Sequence, residues 1–195
     1  SGASVTGAGA TVSGGFNELY GRFDTRYAAP KTTKFISQPF GATEFDLFHF
    51  ECISDGAYAN DKFKVSIADI RGSTDPNNDY GTFEVQIRKF DDSDLAPEIL
   101  ERFPALSLDP NNERFIARVI GDFKVRFNFD EANEDERRLV LSGKYPNRSA
   151  YVRVKMTDEF ESGEVPAAAL PFGFRGLGAL NTSPTRTNPS ADDGS

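Results

Sequence analysis

The sequence predicts an α+β fold, in which a mixed, mainly antiparallel β-sheet core is flanked by a few short helices. Phenylalanine dominates the aromatic content, with 18 Phe, 6 Tyr and no Trp in 195 residues. Phe often occupies every second position, as half-buried strands require. Predicted strands come first, two short helical stretches follow, and further strands come after them. This order favours α+β over a doubly wound sheet.

Three successive strands are predicted in the first half of the chain. Residues 44–53 carry apolar side chains on both faces, which indicates a buried strand, and residues 62–70 follow after a turn at 54–61. A loop at residues 71–79 leads into residues 80–90, where apolar and polar side chains alternate. This alternation predicts a strand with one face toward the core.

Two short helices are predicted next. Pro97 suits the start of the first helix. In the second, within residues 107–123, Asp109 can accept the N-cap hydrogen bond, Pro110 suits the first turn and Gly121 can end the helix. The apolar faces would consist of Ile99, Leu100 and Phe103 in the first helix, and of Phe115, Ile116, Val119 and Ile120 in the second.

A further strand is predicted at residues 123–129, where apolar and polar residues again alternate, and two more are predicted at residues 137–143 and 150–156. We expect the second helix to pack against one sheet that combines two of the predicted strands, through Phe83, Val85 and Ile87 and through Phe123, Val125 and Phe127. The composition predicts a division of the chain into three parts: a flexible Gly-rich linker at 1–15, a core domain at 16–180, and a flexible Pro/Ser/Thr-rich segment at 181–195.

Composition argues against several classes of protein. The formal net charge of −8 disfavours direct binding of nucleic acid, because neutralising phosphates requires clustered Lys and Arg. No apolar run approaches the roughly 20 residues of a membrane span, and the first residues lack the features of a signal peptide. The single cysteine, Cys52, cannot form an internal disulfide. We therefore expect a soluble, intracellular protein without membrane insertion.

The sequence predicts no catalytic, cofactor-binding or metal-ligating residues, so we expect a protein that is not an enzyme and needs no cofactor. The single histidine, His49, lies within a strand pattern, which favours a structural role. Cys52 follows three residues later, and side chains three apart on a strand point to opposite faces, so a core thiol is predicted. Residues 75–86 begin like a calcium loop, but Tyr80 and Gln86 occupy the positions that require glycine and glutamate.

Other local patterns favour ordinary structure. The glycine-rich residues 173–178 lack dinucleotide-binding spacing and predict a loop. Acidic runs at 91–94 and 130–136 predict solvated loops or helix starts. These carboxylates would act in acid–base catalysis only in a cleft that separates their pKa values. Asn147 and Asn181 each begin an N-x-S sequon, which matters only in a secreted protein.

Several stretches, in order, resemble the tail sheath proteins of contractile-tailed bacteriophages, particularly the larger sheath proteins of big myoviruses. The resemblance covers nearly all of residues 16–180. It rests on these stretches: LYGRFDTRYAAPKTTKFISQPFG, FDLFHFECISDGAYANDKFKVSIADI, YGTFEVQIRKFDDSD, ILERFPALSLDPNNERFIARVIGD, FNFDEANEDERRLVLSGKYPNRSAYVRVKM and LPFGFRG.

The resemblance implies a structural protein. Sheath subunits form a helical stack of hexameric rings around the tail tube and shorten during infection to drive genome ejection. The implied partners are other sheath subunits and the tube and baseplate proteins, and the implied location is the virion, after assembly in the bacterial host cytoplasm. Sheath proteins are usually longer than 195 residues, so the chain resembles a fragment or section of such a subunit.

Two other classes remain open at the level of sequence. A receptor- or glycan-binding module on a particle surface would need exposed aromatic residues on a concave face. An enzyme would need a cleft that contains carboxylates with perturbed pKa values. Basic residues that alternate with the acidic runs could serve polar contacts between sheath subunits: Lys124, Arg126, Arg137, Arg138, Arg148 and Arg153.

Overall fold

The computed structural model describes residues 3–7, 10–14, 29–54, 56, 58–127 and 139–176, with side-chain burial for residues 29–54, 56, 58–125 and 139–176. The predicted flexible segment at 181–195, the acidic run at 130–136 and Asn181 lie outside the described residues. Within them, the predicted α+β class with a mainly antiparallel sheet core is confirmed.

The described strands and helices are short. They are β1 (Ala3–Gly7), β2 (Ala10–Gly14), β3 (Phe35–Ser37), β4 (Asp46–Cys52), α1 (Tyr58–Lys62), β5 (Phe63–Arg71), β6 (Thr82–Lys89), β7 (Ile99–Leu106), α2 (Ile116–Ile120), β8 (Lys124–Phe127), β9 (Leu139–Ser142), β10 (Val152–Met156), α3 (Asp158–Glu161) and β11 (Pro171–Phe174). The predicted strands at 44–53, 62–70, 80–90, 137–143 and 150–156 correspond to β4, β5, β6, β9 and β10.

Two sheets form the body of the described structure. One has four antiparallel strands in the order β10-β4-β3-β11, and the other is the antiparallel meander β5-β6-β7. Two smaller pairs, β1–β2 and β8–β9, are also antiparallel. An isolated parallel bridge joins Ser107 to Phe115.

The core between the two sheets is built around phenylalanine. Phe48 of β4 is fully buried, and its ring lies 5.3 Å from that of Phe35 and 6.1 Å from that of Phe83, which belongs to the meander. Phe50 meets Phe48 edge to face at 5.5 Å, an arrangement that aromatic pairs favour. The alternating Phe residues of the sequence therefore join the two sheets.

The second helix is shorter than predicted. It begins at Ile116, because the residues before it form tight turns: Asp109 Oδ1 and Asn112 Oδ1 each accept a hydrogen bond from the backbone N–H two residues on. Such side chains compete with helix formation. Gly121 ends the helix, as predicted. The four apolar residues predicted for its inner face are all buried, namely Phe115, Ile116, Val119 and Ile120.

The helix predicted at Pro97 is wrong. Residues Ile99–Leu106 form β7, which pairs with β6 through partners such as Val85 and Phe103. Pro104 explains the difference, because inside a helix it would lose a hydrogen bond and clash with the preceding turn. β7 is an outer strand of the meander, a position in a sheet where proline is tolerated.

The predicted joint sheet of residues 83–87 and 123–127 is also wrong. β8 pairs with β9 rather than with β6, and Val125 is 50% exposed. Helix α2 packs instead against β10 and β7. The register of the β8–β9 pair explains this, because Lys124 on the opposite face of β8 is drawn to Glu51 of β4 by an ion pair of 3.0 Å. The side chain of Phe127 lies outside the described residues.

Three further segments differ from the sequence predictions. Residues 1–15, predicted to be flexible, contain the β1–β2 hairpin, whose β-branched residues Val5, Thr6, Thr11 and Val12 suit strands. The turn at 54–61 contains most of α1. The predicted glycine-rich loop begins inside β11, where a bulge near Gly173 lets the strand pair with β3.

Candidate functional site

A charged cleft lies between the four-stranded sheet and the β8–β9 pair. Its volume is about 540 Å³, and residues of β4, β8, β9 and β10 form its walls. Strands place these side chains together because alternate residues point to the same face. The charged lining residues are Glu51, Asp122, Lys124, Lys144, Arg153, Lys155 and Glu161.

Glu51 is the centre of this cleft. Its side chain is 19% exposed, and its Oε2 atom lies 3.0 Å from Lys124 Nζ and 3.1 Å from Arg153 Nε. His49 Nε2 lies 3.7 Å from Glu51 Oε1. The contact with His49, followed by Lys124 and Arg153, holds the pKa of Glu51 well below its usual range, although burial acts in the opposite direction. Glu51 therefore joins β4 to β8 and β10 as a permanent carboxylate.

This ion pair predicts a dependence of stability on acid. A carboxylate whose pKa is lowered by folding contributes stability above its unfolded pKa, and that contribution is lost as the pH falls toward the folded value. The Glu51→Gln variant should be less stable than the parent at neutral pH, and the difference should shrink as the pH falls below about 4.5, the unperturbed value. Urea unfolding across this pH range measures it.

The matched control is Glu164→Gln, at an exposed position. We expect it to change the free energy of unfolding by less than about 0.5 kcal/mol at either end of the pH range. A Glu51→Gln deficit that stayed constant from neutral to acid pH would contradict the role given to Glu51.

The other carboxylates of the cleft are also used within the chain. Asp122 Oδ1 accepts hydrogen bonds from the backbone N–H groups of Lys144 and Tyr145, at 2.8 and 2.7 Å. Glu161 lies 3.7 Å from Lys155. These contacts are structural ties, because each of the two carboxylates has its partner within the same chain.

The acidic run at 91–94 is only partly solvated, which corrects the prediction. Asp94 is exposed, but the carboxylate of Asp92 is fully buried and lies 2.7 Å from both Arg88 Nε and Lys64 Nζ. Asp92 also accepts a hydrogen bond of 2.8 Å from the backbone N–H of Glu98. Arg88 first, and then Lys64 and Glu98, hold the pKa of Asp92 well below its usual range. The acidic run therefore stabilises the turn between β6 and β7 through Asp92.

Asp46 makes a third tie. Burial alone would raise the pKa of Asp46, but ion pairs with Lys34 at 2.7 Å and Arg175 at 2.8 Å lower it overall. Arg175 follows β11, so this carboxylate connects the end of the four-stranded sheet to β4. Sequence reasoning missed these ties, although charged residues within otherwise apolar strands were a signal for them.

The residues singled out in the sequence have structural surroundings. Cys52 is buried, as predicted for a core thiol, while His49 faces Glu51 and its Nδ1 atom is buried without a hydrogen-bond partner in the described structure. The Asn147 side chain donates to the carbonyl of Phe123 and accepts from its N–H, at 2.8 and 3.0 Å. The Asn147 side chain is therefore used in structural hydrogen bonds within the chain.

Two of the basic residues expected to serve contacts between subunits are used internally. Lys124 and Arg153 both point at Glu51. Arg137, Arg138 and the side chain of Arg126 lie outside the described residues. Lys124 and Arg153 are therefore not part of the predicted polar contact surface between subunits.

Comparisons of the chain with family models, curated proteins and solved structures gave no match. Among the described residues, no helix has the length and apolar character needed to cross a membrane. The same residues contain no group of three or more His, Cys, Asp or Glu side chains placed to hold a metal ion.

Proposed function

We propose that this chain is a structural subunit, or a section of a larger subunit, of a contractile phage tail sheath. Such a subunit polymerises around the tail tube and contracts during infection to drive genome delivery. The ordered series of stretches that resemble sheath proteins supports this assignment. Its partners would be further sheath subunits and the tube and baseplate proteins, and its place would be the virion tail.

One structural observation carries the proposal: buried charges are used to connect elements that are far apart in the chain. Glu51 links three strands, Asp92 fixes a turn, and Asp46 holds the segment after β11. Each carboxylate keeps a lowered pKa and remains ionised at neutral pH. Ties of this kind favour a body that keeps its shape while its outer faces exchange neighbours, as a contracting lattice requires.

Electron microscopy tests the proposal. The full-length gene product should be expressed alone and together with its tail tube, and then imaged by negative stain. The proposal predicts tubes with regular transverse striations. Dispersed particles under both conditions, from protein whose circular dichroism shows a folded sheet, would contradict it.

A receptor- or glycan-binding module is the second candidate, and one observation favours it. Phe172 and Phe174 of β11 are 71% and 68% exposed, and exposed aromatic rings can stack on sugars. A glycan array tests this candidate, with a Phe172→Thr/Phe174→Thr variant as the control. Binding that the variant loses would favour the module over the sheath subunit.

A further inference from the structure

Arg153 of β10 has hydrogen-bond donors that the described part of the chain does not use. Its side chain is only 10% exposed, and its Nε atom lies 3.1 Å from Glu51 Oε2. No described residue accepts a hydrogen bond from its two Nη atoms, the remaining donors of the guanidinium. Both Nη atoms are in contact with solvent, since His49 Nδ1 is the one buried side-chain atom without a partner in the described structure. The Nη edge of Arg153 is therefore accessible to a ligand.

The accessible part of this guanidinium borders the charged cleft. Arg153 lines the cleft, whose volume of about 540 Å³ lies in the range of pockets that hold small molecules. A guanidinium presents its N–H groups as a planar fork, which matches the paired oxygens of a phosphate or a carboxylate. The cleft therefore combines space for a small anion with a donor group of suitable geometry.

Two lysines add positive charge to the same cleft. Lys155 follows Arg153 by two residues on β10, so both side chains point to one face of the sheet. Its Nζ atom lies 3.7 Å from Glu161, which is too far for a hydrogen bond. Lys144 lines the cleft from the segment after β9 and is exposed. The ion pairs described within the cleft do not include Lys144.

The balance of charge in the cleft favours an anion. Four cations and three carboxylates line it, which gives a net charge of +1 in a chain whose formal net charge is −8. Each of the three carboxylates already has a partner within the chain. A cleft with an excess of one sign of charge concentrates ions of the opposite sign. The unused donors of the cleft are therefore those of its cations.

We propose that the charged cleft binds a small oxyanion, of the phosphate or carboxylate type, at the Nη edge of Arg153. Lys144 and Lys155 supply further positive charge, while Glu51 orients the guanidinium through its Nε atom. An oxyanion accepts hydrogen bonds from the Nη donors, and such charge-assisted hydrogen bonds are stronger than neutral ones. This binding site goes beyond the sheath assignment and does not depend on it.

Titration of the full chain with inorganic phosphate, followed by NMR of the amide and guanidinium N–H groups, tests the site. The ionic strength is held constant with chloride, which separates binding from general screening. We expect saturable shifts of the Arg153 side chain and of residues 152–155, with a Kd on the order of 1 mM. Citrate and acetate are titrated in the same way. Tighter binding of phosphate would assign a phosphate-type ligand, and tighter binding of citrate a polycarboxylate.

Three variants show whether the cleft itself binds the anion. Arg153→Lys keeps the charge but lacks the planar fork, so phosphate binding should weaken about 10-fold. Lys155→Gln leaves the pair of Arg153 with Glu51 in place and should weaken binding about 5-fold, so it tests the site even if Arg153→Lys does not fold. The matched control is Lys62→Gln, which removes an exposed lysine of α1 outside the cleft and should bind phosphate like the parent.

Shifts that grow linearly without saturation, an unchanged affinity in Lys155→Gln, or an equal loss of affinity in Lys62→Gln would overturn the proposal. These outcomes are separate from those that test the sheath assignment. Striated tubes from a protein without saturable anion binding would support the sheath assignment and refute the anion site. Saturable binding that Lys155→Gln weakens, in a full-length product that forms no tubes, would support the anion site and refute the sheath assignment.

Discussion

The Phe48→Ala variant is expected to lose about 3 to 5 kcal/mol of unfolding free energy. Phe48 is fully buried and touches aromatic rings from its own strand, from β3 and from the meander. Removing its ring leaves a cavity where the two sheets meet, and its neighbours can collapse only partly. Because small domains are stable by only about 5 to 15 kcal/mol, much of the variant should be unfolded in mild urea.

Phe172→Ala is the matched control, because the same ring is removed from a position that is 71% exposed. It should change the free energy of unfolding by less than about 0.5 kcal/mol. Urea unfolding followed by circular dichroism measures both variants. Equal losses for the two would show that Phe48 does not join the sheets.

Gly121→Ala should destabilise the fold by roughly 2 to 5 kcal/mol. Gly121 ends α2 with a φ of +108°, and a Cβ atom there would lie 2.3 Å from the Cα of Asn147. Its carbonyl also accepts a hydrogen bond of 2.8 Å from the N–H of Val154. Alanine must therefore either adopt an unfavourable backbone conformation or push the Asn147 backbone away from the helix.

Gly163→Ala separates backbone strain from crowding. Gly163 has a φ of +79°, but an added Cβ would meet nothing within 4 Å. Its loss should be about 1 to 2 kcal/mol, the cost of a left-handed conformation alone. Thermal unfolding compares the two variants. If Gly121→Ala loses no more unfolding free energy than Gly163→Ala, contact with the Asn147 backbone does not contribute to the effect at Gly121.

Periodicity predicted the strands well because each has its own local pattern. The apolar stretch of β4 and the alternation in β6 needed no knowledge of the partner strands. The sequence was misleading where a distant partner decides the outcome. For β7, Pro104 was a local signal against a helix, and the pairing Val85↔Phe103 completes the strand. For β8, Lys124 turns the strand toward Glu51 rather than toward the meander.

The ion pairs around Glu51 and Asp92 were not predicted from the sequence for the same reason. An isolated acidic residue looks solvated until the fold brings its basic partner within about 3 Å, as Arg153 is brought to Glu51. Arg153 is 102 positions from Glu51 in the chain, and no local pattern predicts that the two will meet. By contrast, burial of Cys52 and of Ile116 followed directly from the apolar neighbours of each residue.

The pairing of β4 with β10 has a consequence for synthesis. Cys52 is the partner of Val152, and Ser37 is the partner of Pro171. The four-stranded sheet can therefore form completely only after the last part of the described chain has left the ribosome. The meander can close early, because its strands are consecutive. Until translation passes β10, the edge of β4 that pairs with β10 lacks its partner, and an unpaired strand edge is prone to pair with another chain.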